Sequence, residues 1–477
     1  MLSAGVAIGD EAEAQTVPYM LGIAHPTGFP AYILAGWLFS HIVAVGTVAW
    51  RLNAFTALVT ALCATGVYLI AVALTGEALA ALLAGIVFAF GAVIWHGALQ
   101  ANAQSLAAMC SIFALYASVV AARSGNRAVL AAACVCCGIG MAAHPQALWS
   151  IPAIVTAALW QRARLDVRTI VLCVAGIALP LLLYAYLPLR SSYVAQHHLD
   201  PTAGLHIGGS GHVDWDMNSP RTKAGFLNEV FGLDEHAGES VVRALNPRRT
   251  FGAMQLWFNV ATAQYGLIVP LLALCGIAAL ARVDRRSLSV LLAGTAGSIA
   301  FSYIYRTNVN LDRYLILPYA VTAALAAAAE RLELPRIRRD VVGIAATAVL
   351  AFVAALSIAE NRPPANADGD GEALIADVRA SIPDGAIVVA PWNEAAALGY
   401  GANIEGVLGT RTIVSAWPWE YGNAMPVWLR TRQVFIYIGP SLHSGPLPVH
   451  LRLEREPDAM SRALIFAVEP PLVPRTH

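Results

Sequence analysis

Three carboxylates stand within four residues near the start of the chain: Asp10, Glu11 and Glu13. A carboxylate can accept the proton of an attacking hydroxyl, so acids at fixed spacing are the first place to look for chemistry. Asp10 and Glu13 are three apart, and a helix beginning there sets both on one face. Asp10 also suits the cap or first turn of such a helix. Spacing alone equally allows solvated acids at a mobile terminus. The run His25-Pro26-Thr27-Gly28-Phe29-Pro30 is more specific, because two prolines and a glycine make a tight, rigid turn that presents one imidazole. That imidazole either walls a site or bonds local backbone.

Four further groups have the right residue types. Arg190 ends the run Tyr184-Ala185-Tyr186-Leu187-Pro188-Leu189-Arg190, where its planar fork of donors could bind phosphate or snorkel to the membrane interface. Asp312-Arg313-Tyr314 opens an apolar run after Asn308. Asp312 and Arg313 could pair with each other, or Arg313 could meet an anionic substrate. Trp95-His96 leads to Asn102 and Gln104, and His144-Pro145-Gln146 marks another helix end. Each alone reads as a cap or a local pair.

The elements that must position these groups are membrane helices. The chain of 477 residues is 58% hydrophobic and 13% charged, with mean hydropathy +0.61. A soluble domain is nearer a quarter charged. Zero net charge gives no hint of a nucleic-acid partner. The seven cysteines, among them Cys134, Cys136 and Cys137, all fall in apolar runs, which argues against a disulfide framework and against zinc. A span needs about 20 apolar residues. Ten runs qualify, at roughly 53–75, 79–95, 103–122, 128–143, 146–161, 169–189, 254–281, 288–305, 313–329 and 341–359, with 31–46 read as an interfacial or re-entrant helix. Four short loops are basic, carrying Arg123 and Arg127; Arg162, Arg164 and Arg168; Arg282, Arg285 and Arg286; and Arg331, Arg336, Arg338 and Arg339. All four fall on one side of this path, which makes that side cytoplasmic. Every group with chemistry in it falls on the other side. Polar residues at membrane depth are costly and tend to mark function.

Residues 1–359 are therefore read as a transmembrane domain, with 10–52 as its first outer loop and 190–253 as a large outer loop. Residues 360–477 change composition. After the linker Asn361-Arg362-Pro363-Pro364 come a helix-like stretch from Glu372 to Ser381, a turn at Pro383-Asp384-Gly385 and strand-like runs at Ala386–Ala390 and Val434–Ile438. Trp417, Trp419 and Trp428 lie between the two strands. Helix followed by strand predicts a small extracytoplasmic α/β domain.

The runs Asp10-x-x-Glu13, Leu21-Gly22-Ile23-Ala24-His25-Pro26-Thr27-Gly28-Phe29-Pro30 and Trp50-Arg51-Leu52-Asn53 together resemble a widespread family. It was long catalogued as a domain of unknown function in membrane proteins, and it includes the animal transmembrane O-mannosyltransferase of plexin-type receptor domains. Tyr186-Leu187-Pro188-Leu189-Arg190 and the stretch from Asp214-Trp215 through Pro220, Gly225 and Phe226 are similar too. The resemblance covers roughly residues 10–230. The family pattern reads approximately Asp-Ser-Gly-Glu, where this chain has Glu11-Ala12 between the acids. It often has an acid after the tryptophan-containing turn, where this chain has Asn102. It also has a full membrane helix before the aspartate, where nine residues precede Asp10, so a truncated first helix is expected beside the ten.

The resemblance implies an all-α polytopic glycosyltransferase of the GT-C type, which takes a sugar, mannose first among candidates, from a polyprenyl-phosphate donor. It implies Asp10 as catalytic base with Glu13 as companion, the carboxylate pKa raised by a partly dry site. His25, Arg51, Asn102, His144, Arg190, Asp312 and Arg313 make up the expected substrate- and donor-binding set. No metal ligand is assigned, and a divalent ion is neither required nor excluded. Expected partners are membrane lipid, the lipid-linked sugar and a protein or glycan acceptor, with no nucleic acid. The expected location is a bacterial plasma membrane, with the site and the C-terminus outside. The competing readings are a lipid or solute transporter or flippase, in which paired broken helices should appear near the midplane, and an inactive scaffold.

Overall fold

A computed structural model describes residues 2–161, 166–233, 250–304, 311–335, 337–361, 370–417, 420–421, 424–438, 450–455 and 464–469. Arg162, Arg164, Asn308, Arg336, Arg362, Pro363, Pro364 and Trp419 lie outside the described residues.

The acidic run forms helix α1, Asp10–Met20, and the His-Pro turn leads into α2, Pro30–Ile42. Then come α3, Val48–Thr75; α4, Ala78–Phe90; α5, Ala92–Ala98; and α6, Ala103–Ser124. Six helices are long and apolar enough to cross a membrane: Val48–Thr75, Ala103–Ser124, Val167–Gln196 (counting its bend), Arg285–Ile304, Leu311–Arg331 and Arg339–Glu360. The number rises to eight if each of two bent pairs counts as one span. Ten continuous spans are not reached among the described residues. The expected run 79–95 breaks between α4 and α5 by 65°, and 254–281 breaks by 83° between Met254–Ala263 and Ile268–Val283. Helix Arg127–Ala143 is a shorter apolar helix, and 146–161 is a 3-10 turn followed by the ten-residue helix Ile151–Trp160.

One side chain from the second break bonds backbone groups at the first. A break in a membrane helix leaves backbone groups without partners, at a cost of several kcal/mol each unless protein supplies them. Gln264, at the second break, accepts from Ile94 N–H at 3.0 Å and donates to the Phe88 carbonyl at 2.9 Å. Gly91 stands between, and a Cβ there would lie 2.1 Å from Gln264 Nε2.

The basic loops gather at the far end of α3. Arg123 donates to the Ala73 carbonyl and Arg331 to that of Thr75, while Arg127 pairs with Asp166 at 2.6 Å. The near end of α3 meets α1. Asn53 accepts from Gln15 at 3.1 Å and from Ala101 N–H at 2.9 Å, and donates to Ser3. A 28-residue helix is about 42 Å long, so the acidic run and the basic loops stand a membrane's thickness apart.

The C-terminal region is α/β. Strands β1, Ile387–Ala390; β2, Thr412–Ser415; β3, Val434–Ile438; β4, His450–Arg455; and β5, Leu464–Glu469 form one sheet in the order β2-β1-β3-β5-β4. β1 runs parallel to β2 and β3, and β5 antiparallel to β3 and β4. Val388 and Ala390 face the helix Trp392–Asn403, while Ile387 and Val389 face Met425–Trp428, as the alternation of a strand requires.

This region packs against the first helices of the chain. Val6, Ala12, Ala49 and Leu52 share one apolar core with Leu374, Val378 and Leu398. Gly9 N–H donates to the Asn393 carbonyl at 2.9 Å, Gly371 N–H to that of Val6 at 3.1 Å, and Ala49 N–H to the Tyr400 hydroxyl at 3.1 Å.

Candidate active site

Helix α1 begins with Asp10 because Gly9, at φ +64°, turns the chain in a way L side chains rarely adopt. From that first turn the three acids diverge. Glu13 is buried at 2% exposure. One of its oxygens accepts His25 N–H at 2.7 Å and the other lies 2.5 Å from His25 Nδ1. The expected catalytic companion is thus the anchor of the His-Pro turn. Glu11 pairs with Arg313. Asp10 remains partly exposed, with its Oδ1 accepting from Trp392 Nε1 at 3.0 Å and its Oδ2 3.9 Å from Arg313 Nη1.

Asp10 lies where two cavities approach each other. The outer cavity, about 440 Å³, is lined by Asp10, His25, His144 and Tyr314 together with Trp392, Ser415 and Trp417 of the C-terminal region. A second cavity among the apolar helices, the membrane-side cavity, is about 400 Å³ and is lined by Arg313, Asp312, Glu11 and His96 and by apolar residues such as Phe88 and Ile94. A gap of about 20 Å³ lined by Asp10, Glu13 and Arg313 lies between them. Arg313 Nη1 is buried without a hydrogen-bond partner among the described residues. Of the two alternatives for Asp312 and Arg313, mutual pairing is not the arrangement seen: Arg313 turns to Glu11 and Asp10 while Asp312 lines the cavity.

The electrostatics also correct an expectation. Burial pushes the Asp10 pKa up, but His25, the Trp392 indole, Arg313 and His144 together outweigh it and hold the carboxyl below the usual carboxylate value. Asp10 is therefore ionised at neutral pH. His144 is driven down to about 3, first by burial and then by His25 and Arg313, so its ring is neutral. It stacks on Phe29 at 5.4 Å, and its Nδ1 accepts from Gln146 N–H at 3.2 Å.

The remaining expected binding residues divide. His25, His144, Asp312 and Arg313 reach the cavities. Asn102 does too, but its side chain is fully engaged as the cap of α6. It accepts from Ser105 N–H and Oγ at 2.9 and 2.7 Å and donates to the Gly97 and Gln100 carbonyls. Arg51 and Arg190 line neither cavity. Arg51 staples the 43–47 turn through the carbonyls of Ser40, Val45 and Gly46. Arg190 closes the C-terminus of α1 on the Leu21 and Met20 carbonyls, where a cation complements the helix dipole. These carbonyls take the Nε–Nη2 edge of Arg190 and one bond from each nitrogen of Arg51. Among the described residues no three His, Cys, Asp or Glu side chains converge as a metal site.

Two contributors were not singled out from sequence as site residues. Trp392 comes from the C-terminal region. Asp214, in the resemblance but given no role, is fully buried. Its carbonyl accepts Ile23 N–H at 3.0 Å and its Oδ2 accepts from Asn403 at 3.0 Å. Burial, then the nearby Glu13, pushes its pKa well above the carboxylate range. A Cβ at Gly22 would fall 1.9 Å from the Asp214 carbonyl oxygen, and one at Gly399 2.1 Å from its Oδ2. These glycines were the available signal of close approach.

Comparison with known proteins follows the same residues. Residues 10–167 match the family model described as the Protein O-mannosyl-transferase TMEM260 N-terminal domain. Protein O-mannosyl-transferase TMEM260 of Mus musculus is 24% identical over 320 residues, covering 64% of this chain and 42% of the mouse protein. The Dictyostelium discoideum protein of that name is 29% identical over 100 residues, covering 20% of this chain and 12% of its own length. The chain thus spans less than half of the curated relatives it matches. The resemblance read from the His-Pro turn and the acidic run is to this family, whose N-terminal domain model matches residues 10–167.

Proposed function

We propose that this protein is a membrane glycosyltransferase that moves a sugar, mannose first among candidates, from a polyprenyl-phosphate donor to a hydroxyl of a protein or glycan acceptor outside the cytoplasm. The observation that carries the reading is the position of an ionised Asp10 between an outer cavity and a membrane-side cavity, 3.9 Å from the Arg313 guanidinium. The names of the matched relatives support a transferase of this kind.

In this reading the acceptor hydroxyl enters from the outer cavity and the donor phosphate meets Arg313 from the membrane side. The acceptor oxygen bonds to the anomeric carbon as its proton passes to Asp10. The bond from that carbon to the lipid phosphate breaks, and the phosphate leaves with the electron pair beside Arg313. Asp10 later returns the proton to solvent. Glycosyl transfer runs through an oxocarbenium-like state, so the acceptor proton is lost late. A base that is reliably ionised then serves better than a strong base that is partly protonated, which fits the lowered Asp10 pKa. Glu13 fixes His25 at the rim of the outer cavity.

The two broken helices favour a second reading, transport. Against it, Gln264 bonds the Ile94 N–H and the Phe88 carbonyl at the α4–α5 break, which gives that junction the chemistry of a structural clasp.

The test is sugar transfer from polyprenyl-phosphate-mannose by purified protein in bilayer discs. Asp10→Asn is expected to abolish transfer while folding is retained. Retained transfer in that variant removes Asp10 from the mechanism. Solute or lipid flux through liposomes holding the protein, with no transfer, favours the transporter.

A further inference from the structure

The C-terminal region reaches the site at one point of unusual economy. Strand β1 ends at Ala390, Pro391 follows, and Trp392 opens the next helix with its indole N–H on Asp10 at 3.0 Å. β2 ends at Ser415, and Ser415, Ala416 and Trp417 line the same outer cavity. The carboxyl ends of two parallel strands thus face the acidic run. In open α/β sheets the crevice outside those ends, where connections leave to opposite faces, is where ligands bind. Here the helix after β1 packs on one face and Met425–Trp428 on the other.

The placement of the indole is heavily constrained. The neighbouring Asn393 carbonyl holds Gly9 N–H at 2.9 Å, directly before Asp10. The same helix carries Tyr400 and Asn403, which bond Ala49 and Asp214. His25 meets the Trp392 ring edge-on at 5.7 Å. An indole N–H donates one hydrogen bond and accepts none. Its bond therefore occupies one Asp10 oxygen and leaves the other, Oδ2, toward Arg313 and the gap between the cavities.

We propose that Trp392 is a positioning residue of the transferase, through which the C-terminal region completes the active site by holding Asp10 in the orientation that serves the acceptor. The inference rests on the reading of Asp10 as base. It assigns the C-terminal region a part in the reaction step rather than in recognition of a distant partner.

The test uses the full chain in bilayer discs with polyprenyl-phosphate-mannose as donor, comparing wild type, Asp10→Asn, Trp392→Phe and Trp392→His. Trp392→Phe removes the N–H and keeps an aromatic ring; it is expected to lower kcat about tenfold to a hundredfold, with the donor KM little changed. Losing one hydrogen bond to the ionised form raises the Asp10 pKa, so the acid limb of the rate profile moves up by about half to one pH unit. Trp392→His restores a ring N–H and recovers part of kcat. A purely structural role would not shift the acid limb. Independently of turnover, the indole resonance of Trp392, assigned through whichever variant folds, moves in Asp10→Asn. An inactive Asp10→Asn beside a Trp392→Phe of unchanged kcat and unchanged acid limb overturns the inference and leaves the base in place. An indole resonance unmoved in Asp10→Asn also overturns it. An active Asp10→Asn overturns the reading beneath it.

Discussion

The pair Glu13–His25 gives the sharpest stability test in the molecule. Glu13 is 2% exposed and makes two contacts to one residue, the His25 backbone N–H at 2.7 Å and Nδ1 at 2.5 Å. Glu13→Gln keeps an amide oxygen for the backbone N–H. Its NH2 then faces Nδ1, which accepts in the other tautomer. What is lost is the charge assistance of both bonds, about 1–2 kcal/mol together. Glu13→Ala removes both acceptors, orphans a buried N–H and leaves a small void, so it costs about 3–4 kcal/mol. In a double-mutant cycle with His25→Ala the coupling energy is expected at about 1.5 kcal/mol or more, because the ring contacts of His25 with Phe29 and Trp392 cancel between the two arms. Reversible unfolding in mixed micelles, followed by tryptophan fluorescence, measures all four corners. A coupling within about 0.5 kcal/mol of zero, or an alanine variant no worse than the glutamine one, refutes the claim that Glu13 anchors the turn.

Arg190→Ala is expected to cost about 1–2 kcal/mol by leaving the α1 carbonyls open, with donor KM within about twofold of wild type. A raised donor KM with unchanged stability returns Arg190 to the donor site. For His144 the folded pKa of about 3 lies below the ordinary 6.5. The unfolded chain then binds more protons between those values, so stability is present above about pH 6.5 and falls as pH drops toward 3, by at most about 1.4 kcal/mol per pH unit. His144→Gln flattens that acid-side loss in pH-dependent unfolding; an unchanged slope means the ring is not held neutral. In a cysteine-free background, a cysteine at position 125 is expected to be shielded from impermeant reagents in intact cells and one at 370 to react. The opposite pattern inverts the topology.

Why some of the site was legible and some was not follows from what each residue must contact. Hydropathy and the four basic loops separate two ends of the molecule without any tertiary information. Asp10, His25, His144 and Arg313 share the end opposite those loops, so their convergence could be anticipated. The straightness of spans was not legible, because Gly91 breaks α4 from α5 through a partner, Gln264, more than 170 residues away. Arginines at helix ends were ambiguous for a chemical reason. A guanidinium satisfies a helix's last carbonyls as readily as it satisfies a phosphate, and only the three-dimensional partner distinguishes Arg190, on Met20, from Arg313, on Glu11 and beside Asp10. The tail's helix and two of its strands carried local signals, while their docking on α1 did not. That docking is set by the close fit of Gly22 and Gly399 on Asp214 between them, by the Asn403–Asp214 bond, and by bonds from Asn393 to Gly9 and Tyr400 to Ala49. None of these has a periodicity to read. The same docking delivers the Trp392 indole to Asp10. The carboxylate found first in the sequence is therefore held in place by a residue 382 positions further along the chain.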